Sequence, residues 1–382
     1  MSGPGDDRTV DDRTADDRTP VVVAARRTPI GNSGGALREL QVDRLAAPVL
    51  RAVLDDAGVR SVDDVLLGNV FGPGGNPARV AALRAGLGAD VPGATVDRQC
   101  ASGLAAILLA ATMIRAGEGA AYLAGGVESA STAPHRAWRT DPPTPYTRAP
   151  FAPAELGDPE MGEAADLVAR EAGISRERQD EFAARSHARA VAAQQGGRFA
   201  AELVPVGGVA TDERPRPGFT AARLARFRPA FTPDGTATAA NSCGINDGAA
   251  AVLVVSERVR RERGLPGLRL VSGATSAVDP SRLGLGAVPA MRRVLDRRPD
   301  VVEFNEAFAG QALACLDAAG LDERTVSTDG GAIALGHPWG ASGAVLVVRL
   351  FSLLVRAAGT GTGLTALSAG GGVGVAALWE VV

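Results

Sequence analysis

The sequence of 382 residues contains no lysine, so all 40 of its basic residues are arginines. Arginine must therefore make every cationic contact to a bound phosphate, for which its planar, bidentate guanidinium is well suited. The formal net charge of −3 gives no sign of the basic face that nucleic-acid binding normally needs. We therefore expect no nucleic-acid partner.

Cysteine is also scarce, and the three cysteines are Cys100, Cys243 and Cys315. Three cysteines do not make a disulfide framework, which favours a reduced, cytoplasmic setting. No Cys/His spacing is typical of a zinc site, so we expect no metal. No apolar run reaches the roughly 20 uninterrupted residues of a membrane span, and we expect no membrane partner.

The first 19 residues are too polar to form a core. They contain the repeat Asp-Asp-Arg-Thr three times, ending at Thr19. Such a composition is unlike a signal peptide and predicts a disordered tail over residues 1–19.

A histidine lies in a glycine-dense turn near the C-terminus. His337 stands between Gly336 and Pro338, just before the apolar run 344–354. Glycines allow a tight turn and a close approach of the backbone to a ligand. A helix that begins here would direct its N–H groups and partial positive charge at whatever lies beside the imidazole.

A similarly built turn contains Cys100. Residues 93–97 are typical of a short strand and residues 101–115 of a buried helix, so Cys100 lies at a strand-to-helix junction. A helix N-terminus or a nearby histidine lowers the pKa of a thiol, which predicts a reactive nucleophile. The alternative is a small buried cysteine, but the polar residues 97–99 argue against an inert core.

Two further stretches carry polar groups at the ends of predicted strands. Asn305 and Glu306 follow the apolar segment 301–304, and Ser368 precedes the glycines 370–372. The bare N–H groups of such glycines can hold an oxyanion.

Taken together and in order, these stretches resemble the thiolase family over nearly the whole chain. The matching blocks are Arg27–Gly31, Asp97–Gly103, Arg176–Ala190, Thr238–Ala251, Asn305–Phe308 and Gly330–Gly343. Agreement of several blocks in fixed order is far more specific than one glycine-rich match. The resemblance implies an α/β protein with the duplicated, five-layered α-β-α-β-α thiolase fold. The repeated order of strand, helix and glycine-terminated strand in the two halves fits such a duplication.

The resemblance also implies roles for individual residues. Cys100 resembles the nucleophile that accepts the acyl group, and His337 the base that activates it. The N–H groups of Cys100 and Gly370 resemble one oxyanion hole, and Asn305 with His337 resembles the other. Implied substrate contacts are Met161, Arg216, Cys243 and Gly244. A coenzyme A thioester is then a substrate, and no tightly bound cofactor is expected.

Four positions depart from the family pattern. Ser368 stands where thiolases carry a second catalytic cysteine. In those enzymes the second cysteine takes the proton from the α-carbon of an acyl-CoA. Glu160 replaces a histidine before Met161, Cys243 replaces a serine, and Asp329 stands where asparagine is common. A serine hydroxyl is a much weaker acid than a thiol, whose pKa is about 8.5. Ordinary reversible thiolase activity is therefore not the expectation.

Three hypotheses follow. The first is an acyl-CoA C-acyltransferase or related condensing enzyme. The second is a Cys-His-Asn enzyme that acylates a heteroatom, or that condenses a decarboxylating malonyl unit, with the acyl thioester on coenzyme A or a carrier protein. The third is a catalytically impaired scaffold that binds acyl-CoA, which the retention of Cys100, His337 and Asn305 disfavours.

The resemblance implies an N-terminal half at 20–128 and 242–265, an inserted loop domain at 129–241, and a C-terminal half at 266–382. Apolar strand segments beside Cys100 predict that a second subunit covers this region. We expect a homodimer rather than a tetramer, because the segment 134–159 is short for the loop that builds tetramers.

Overall fold

The computed structural model describes residues 16–382. Most of the predicted tail, residues 1–15, lies outside this range. Residues 16–19, the end of the predicted tail, form a turn that packs against the helix at 257–263. Asp16 pairs with Arg261 at 2.6 Å, and the Glu257 N–H donates to the Thr19 carbonyl oxygen at 2.8 Å. Ion pairing and backbone hydrogen bonds order a segment that has no apolar residues to bury.

Twelve strands are present in the described residues. They are β1 (Pro20–Arg27), β2 (Gly31–Asn32), β3 (Asp64–Gly68), β4 (Ala94–Val96), β5 (Ala121–Ser129), β6 (Arg136–Trp138), β7 (Thr144–Tyr146), β8 (Asn246–Ser256), β9 (Leu268–Ala277), β10 (Val301–Phe304), β11 (Thr362–Ala369) and β12 (Val373–Val381). Strands β6 and β7 form a separate hairpin, and the others form one path in the order β10-β11-β12-β9-β1-β8-β5-β3-β4, with β2 beside β8.

The path contains the same arrangement twice. In the first half β1 pairs antiparallel with β8, β8 antiparallel with β5, and β5 parallel with β3. In the second half β9, β12, β11 and β10 pair in the same order and with the same directions. Only two residue pairs join β1 to β9, so the path divides there into two sheets. The predicted duplication is present in the strand order.

Eleven α-helices complete the described chain. They are α1 (Val42–Ala57), α2 (Pro77–Arg84), α3 (Ser102–Ala116), α4 (Met161–Glu171), α5 (Arg176–Gln195), α6 (Ala221–Leu224), α7 (Glu257–Arg263), α8 (Ala287–Val294), α9 (Ala309–Ala319), α10 (Ala332–Leu335) and α11 (Trp339–Phe351). A π-helical segment, Ser352–Ala358, continues α11, and short 3-10 turns cover Ala154–Leu156, Pro280–Leu285, Glu323–Thr325 and Gly370–Gly372.

The helices and sheets stack in five layers. A central core packs α3 and α11 between the two sheets, with Leu104 and Val347 among its fully buried residues. A second core packs α1 and α2 on the outer face of the first sheet. A third packs α8 and α9 on the outer face of the second sheet. The predicted α-β-α-β-α fold is confirmed.

Two central helical segments, Gln99–Ala116 and Trp339–Ala358, are long and apolar enough to cross a membrane, with mean hydropathies of 1.4 and 1.7. Both segments lie mostly in the central layer. There the two sheets and the neighbouring central helix cover their apolar side chains. An all-round apolar helix is what a core between two sheets requires.

Buried ion pairs join the inserted region to both halves. Arg27 on β1 contacts Glu202 and Asp212, both at 2.7 Å, and Arg349 on α11 contacts Glu202 and Asp329. Arginine suits such sites because one guanidinium satisfies several carboxylates. The aspartate at position 329 therefore has a structural role, as it neutralises a buried arginine.

Candidate active site

The two predicted catalytic turns meet because α3 and α11 pack closely at their N-termini. A Cβ atom on Gly103 would lie 2.8 Å from the Gly340 carbonyl oxygen, and one on Gly343 would lie 2.5 Å from the Leu104 nitrogen. Such distances leave no room for a side chain on either helix. The glycines near Cys100 and His337 thus allow two segments, more than 200 residues apart in sequence, to come together.

Cys100 lies on the wall of a cavity of about 1100 Å³ that Trp339, two residues after His337, also lines. Burial, with a smaller contribution from the nearby Cys243, raises the pKa of the Cys100 thiol to about 12, although the N–H groups of Cys100 and Gly370 oppose the rise. The sequence predicts a lowered pKa, but in the structure desolvation outweighs the helix N-terminus and the pKa is raised. The N–H groups of Cys100 and Gly370 both act on the sulfur and oppose that rise.

Both the backbone N–H and the imidazole ring of His337 have hydrogen-bond partners. Its N–H donates to the Asn246 side-chain oxygen at 2.9 Å, and its Nδ1 lies 2.6 Å from the Ser342 hydroxyl. Its Nε2 is buried and has no hydrogen-bond partner within residues 16–382. Burial lowers the pKa of His337 to about 4, so the ring is neutral at neutral pH and can accept a proton.

Asn305 follows β10 and lies beside β11, where its N–H donates to the Ala366 carbonyl oxygen at 3.1 Å. Its side-chain nitrogen is buried without a partner in the described part of the chain. The adjacent Glu306 turns away and accepts from the Ser186 hydroxyl at 2.6 Å and the Ile333 N–H at 3.3 Å. Asn305, and not Glu306, therefore keeps a side-chain donor that is unused within residues 16–382.

Ser368 is fixed by two backbone groups. Its hydroxyl donates to the Gly284 carbonyl oxygen at 2.7 Å and accepts from the Ala287 N–H at 3.0 Å. The Cys315 sulfur lies 4.0 Å from the Ser368 oxygen. No sequence pattern predicts Cys315 at this place, because it lies in the middle of α9 among apolar residues.

Glu128 is a second residue that the sequence did not single out. It is fully buried at the end of β5, and its carboxylate accepts from the N–H groups of Val70, Phe71 and Gly340 at 3.0–3.1 Å. Burial raises its pKa to about 7. Glu128 ties the start of α11 to the turn after β3, and so positions the His337 turn. The glycine-terminated strand that carries it was predicted, but its carboxylate gave no sequence signal.

The four predicted substrate contacts occupy different places. Met161 lines the same cavity as Cys100, and Cys243 is close enough to Cys100 to raise its pKa. Arg216 lines a separate cavity. Gly244 lines neither cavity, and its missing side chain leaves room for Arg214, whose nitrogen would lie 2.6 Å from a Cβ there. Glu160, the residue in the histidine position, caps α4 and pairs with Arg148 at 3.2 Å.

The separate cavity has a volume of about 330 Å³ and is cationic and aromatic. It is lined by His187, Arg214, Arg216, Phe219, Arg223, Phe227 and Ala239. Arg214 donates to the carbonyl oxygens of Ile333 and Ser242, which leaves Arg216 and Arg223 to meet an anion. Burial and the charges of Arg214 and Arg216 lower the pKa of His187 to about 4.

A duplicated α/β fold that brings a cysteine turn and a histidine turn together at the junction of its halves is typical of an acyltransferase. Comparison with known proteins makes the class specific. Residues 20–258 match the thiolase N-terminal domain, and residues 266–381 match the thiolase C-terminal domain. The chain belongs to the thiolase family and is an acyltransferase of the thiolase class, as predicted.

Individual relatives agree over almost the full length. The chain is 43% identical to the acetyl-CoA acetyltransferase of Cupriavidus necator over 391 residues, covering 93% of this chain and 98% of that protein. It is also 43% identical over 376 residues to YhfS of Bacillus subtilis, named as a candidate acetyl-CoA C-acetyltransferase, with 95% and 99% coverage. The crystal structure of the Bacillus anthracis acetyl-CoA acetyltransferase superposes with a TM-score of 0.88 at 37% identity, covering 95% of this chain and 99% of that one.

Proposed function

We propose that this chain is a condensing acyltransferase that takes an acyl group from a coenzyme A thioester onto Cys100 and passes it to a second substrate. The proposal is carried by a cavity-lining thiol, with the Gly370 N–H at its sulfur, on a turn that packs against the turn of a neutral histidine. The Nε2 of that histidine has no hydrogen-bond partner among residues 16–382. A scaffold that only binds acyl-CoA would need neither group.

In the first half-reaction His337 acts as the base. With its Nδ1 proton donated to Ser342, its Nε2 lone pair takes the proton of the Cys100 thiol as the sulfur attacks the thioester carbonyl carbon. The N–H groups of Cys100 and Gly370 hold the negative charge that develops on the carbonyl oxygen, and one such donor contributes about 3–4 kcal/mol. The carbon–sulfur bond to coenzyme A then breaks, and the departing thiolate takes the proton from His337.

In the second half-reaction the acceptor thioester oxygen accepts hydrogen bonds from the side-chain N–H of Asn305 and, once the ring has taken up a proton at Nε2, from His337. Ser368 is a poor base for the α-carbon of that acceptor, since its hydroxyl already donates to Gly284 and is a weak acid. This observation favours an acceptor that needs no such base. Either a malonyl-type thioester, which forms its carbanion by losing carbon dioxide, or a heteroatom nucleophile meets this requirement.

The second cavity suits the nucleotide end of coenzyme A. Arg216 and Arg223 offer guanidinium groups to phosphate, and Phe219 and Phe227 offer aromatic faces to adenine. The segment 242–245 lies between the two cavities, because Ile245 lines the first and Arg214 of the second donates to the Ser242 carbonyl oxygen. We assign the pantetheine arm to this segment, with Cys243 and Gly244 beside it, and we assign no bound cofactor or metal to the reaction.

We further propose a cytoplasmic homodimer. Strand β4, four residues before Cys100, ends the sheet path of the described residues. The adjacent groove is lined by Val96, Leu108, Leu109, Thr112 and Leu270, and Leu109 is 42% exposed. A second copy of the chain that covers β4 and this groove would pack against the segment leading to the Cys100 turn and hold that turn in place.

The proposed function is tested by loading the protein with acetyl-CoA and then adding either malonyl-CoA or acetyl-CoA. Mass spectrometry should detect a 3-oxoacyl-CoA product mainly from malonyl-CoA, and Cys100→Ser should remove it. An acyl-enzyme that transfers to neither thioester, but only to an amine or alcohol, would favour heteroatom transfer. The absence of any acyl-enzyme would favour the scaffold hypothesis.

A further inference from the structure

One arginine in the Cys100 cavity has no carboxylate partner in the part of the chain that the structure describes. Arg136 lies on β6 opposite Tyr146 of β7, and both residues line the cavity. Its guanidinium lies over the Phe71 ring, 5.0 Å from the centroid, and donates to the Val70 carbonyl oxygen at 3.3 Å. Arg136 forms no ion pair with any residue in the range 16–382. The strand pairing and the aromatic contact hold this charge in place.

Both carboxylates of the cavity lining contact Arg148 and not Arg136. Arg148 contacts Asp158 at 2.9 Å and Glu160 at 3.2 Å, and Glu160 also caps α4. Arg136 is therefore the arginine of this lining that has no carboxylate within ion-pairing distance among residues 16–382.

Aromatic contacts connect this cation to the catalytic turn. The Phe71 ring lies 4.7 Å from the Trp339 ring, centroid to centroid, and Trp339 is two residues after His337. Glu128 fixes both ends of the contact, because it accepts from the N–H groups of Phe71 and Gly340. The wall between the thiol side of the cavity and Arg136 is thus apolar, rigid and suited to methylene groups.

We propose that Arg136 binds a carboxylate at the far end of the acyl chain, so that the preferred acyl donor is a dicarboxylic acyl-CoA thioester. A carboxylate matches one guanidinium in charge and in bidentate geometry, whereas the phosphates of coenzyme A are assigned to the arginines of the other cavity. The cavity volume of about 1100 Å³ far exceeds the needs of an acetyl group. This inference rests on the proposed function, since it requires that Cys100 accept the acyl group.

The test compares acyl donors of equal length. Rates of Cys100 acylation are measured by intact mass for glutaryl-CoA against pentanoyl-CoA and for adipyl-CoA against hexanoyl-CoA. For at least one pair the carboxylated donor should react about tenfold faster or more, because one charge-assisted hydrogen bond is worth at least that factor. Raising the salt concentration should reduce this preference.

Substitution of the arginine supplies the control. Arg136→Met keeps apolar contact with Phe71, and it should lower the ratio of carboxylated to neutral rates at least tenfold, while Arg136→Lys should restore part of it. Arg139→Met, on the same hairpin but outside the cavity lining, should leave the ratio unchanged. Equal rates in the unmodified protein, or a preference that survives Arg136→Met, would overturn the inference. Failure of every donor to acylate Cys100 would instead overturn the proposed function.

Discussion

The Ser368 hydroxyl and the Cys315 thiol donate to the same acceptor, the Gly284 carbonyl oxygen, at 2.7 and 3.1 Å. The two side chains are 4.0 Å apart, so a thiol does lie near the position where the family carries its second catalytic cysteine. Burial raises the pKa of Cys315 to about 12. The thiol therefore stays protonated at neutral pH and does not replace the missing base.

Restoring the thiol at position 368 should restore ordinary thiolase chemistry. Ser368→Cys should raise the rate of acetoacetyl-CoA thiolysis at least tenfold, because a base with a pKa near the working pH contributes about 10²–10⁴-fold. The rate is followed by the loss of acetoacetyl-CoA after addition of coenzyme A, with Cys100 acylation measured in parallel.

Cys315→Ser is the matched control. This variant keeps Ser368, and its thiolysis rate should be as low as that of the parent enzyme. A parent enzyme with thiolysis turnover of roughly tens per second, and no gain from Ser368→Cys, would show that another group transfers the proton. Loss of that turnover in Cys315→Ser would identify the group.

The pH dependence of Cys100 alkylation should reflect its raised pKa. A thiol with a pKa of about 12 is mostly protonated at neutral pH, and its thiolate fraction grows about tenfold per pH unit below the pKa. Because the pKa of His337 is lowered to about 4, the imidazole remains neutral over the same range. Iodoacetamide labelling of Cys100, followed by mass spectrometry, should therefore rise steadily from pH 7 to 9. A plateau below pH 7 would instead indicate a resting thiolate–imidazolium pair.

Arg216 should contribute to the binding of substrates that carry the nucleotide of coenzyme A, and not to the binding of substrates that lack it. Arg216→Ala should raise the KM for acyl-CoA about tenfold or more, since charge-assisted hydrogen bonds to phosphate are strong. The same acyl group on pantetheine, which lacks the nucleotide, should react equally well with both proteins. An equal loss with both substrates would mean that Arg216 supports the fold rather than the ligand.

The exposed side chain of Leu109 should be part of the dimer contact. Light scattering at micromolar concentration should give twice the chain mass for the unmodified protein, and Leu109→Glu should shift it toward the monomer. Leu156→Glu is the matched control, because Leu156 is also exposed, at 59%, but lies far from β4 in sequence and outside the groove. A stable monomer before any substitution would contradict the proposal.

The fold was predictable because the glycine-rich turns and apolar strands mark the same units twice. The Cys100 helix was expected at 101–115 and is observed at Ser102–Ala116, and the segment 301–304 was expected and observed as a strand. The roles of Cys100, His337, Asn305 and Ser368 stay predictions, as do the domain boundaries, although the structure places the cysteine and histidine turns together.

The remaining features depend on contacts that no local pattern encodes. Glu128 and Cys315 are remote in sequence from the groups that they contact, so neither gave a signal. The direction of the Cys100 pKa shift depends on such contacts as well. A helix N-terminus can be identified from sequence, but the desolvation that opposes it arises only when two distant halves close over the thiol.

The central claim is that Cys100 carries the acyl group, and intact-mass measurement after addition of an acyl-CoA tests it most directly. The mass of the protein should rise by that of one acyl group, peptide mapping should place the group on Cys100, and Cys100→Ser should abolish it. His337→Ala should slow the same step by removing its base. Acylation of Cys243 or Cys315 in place of Cys100, or acylation that survives Cys100→Ser unchanged, would contradict the account.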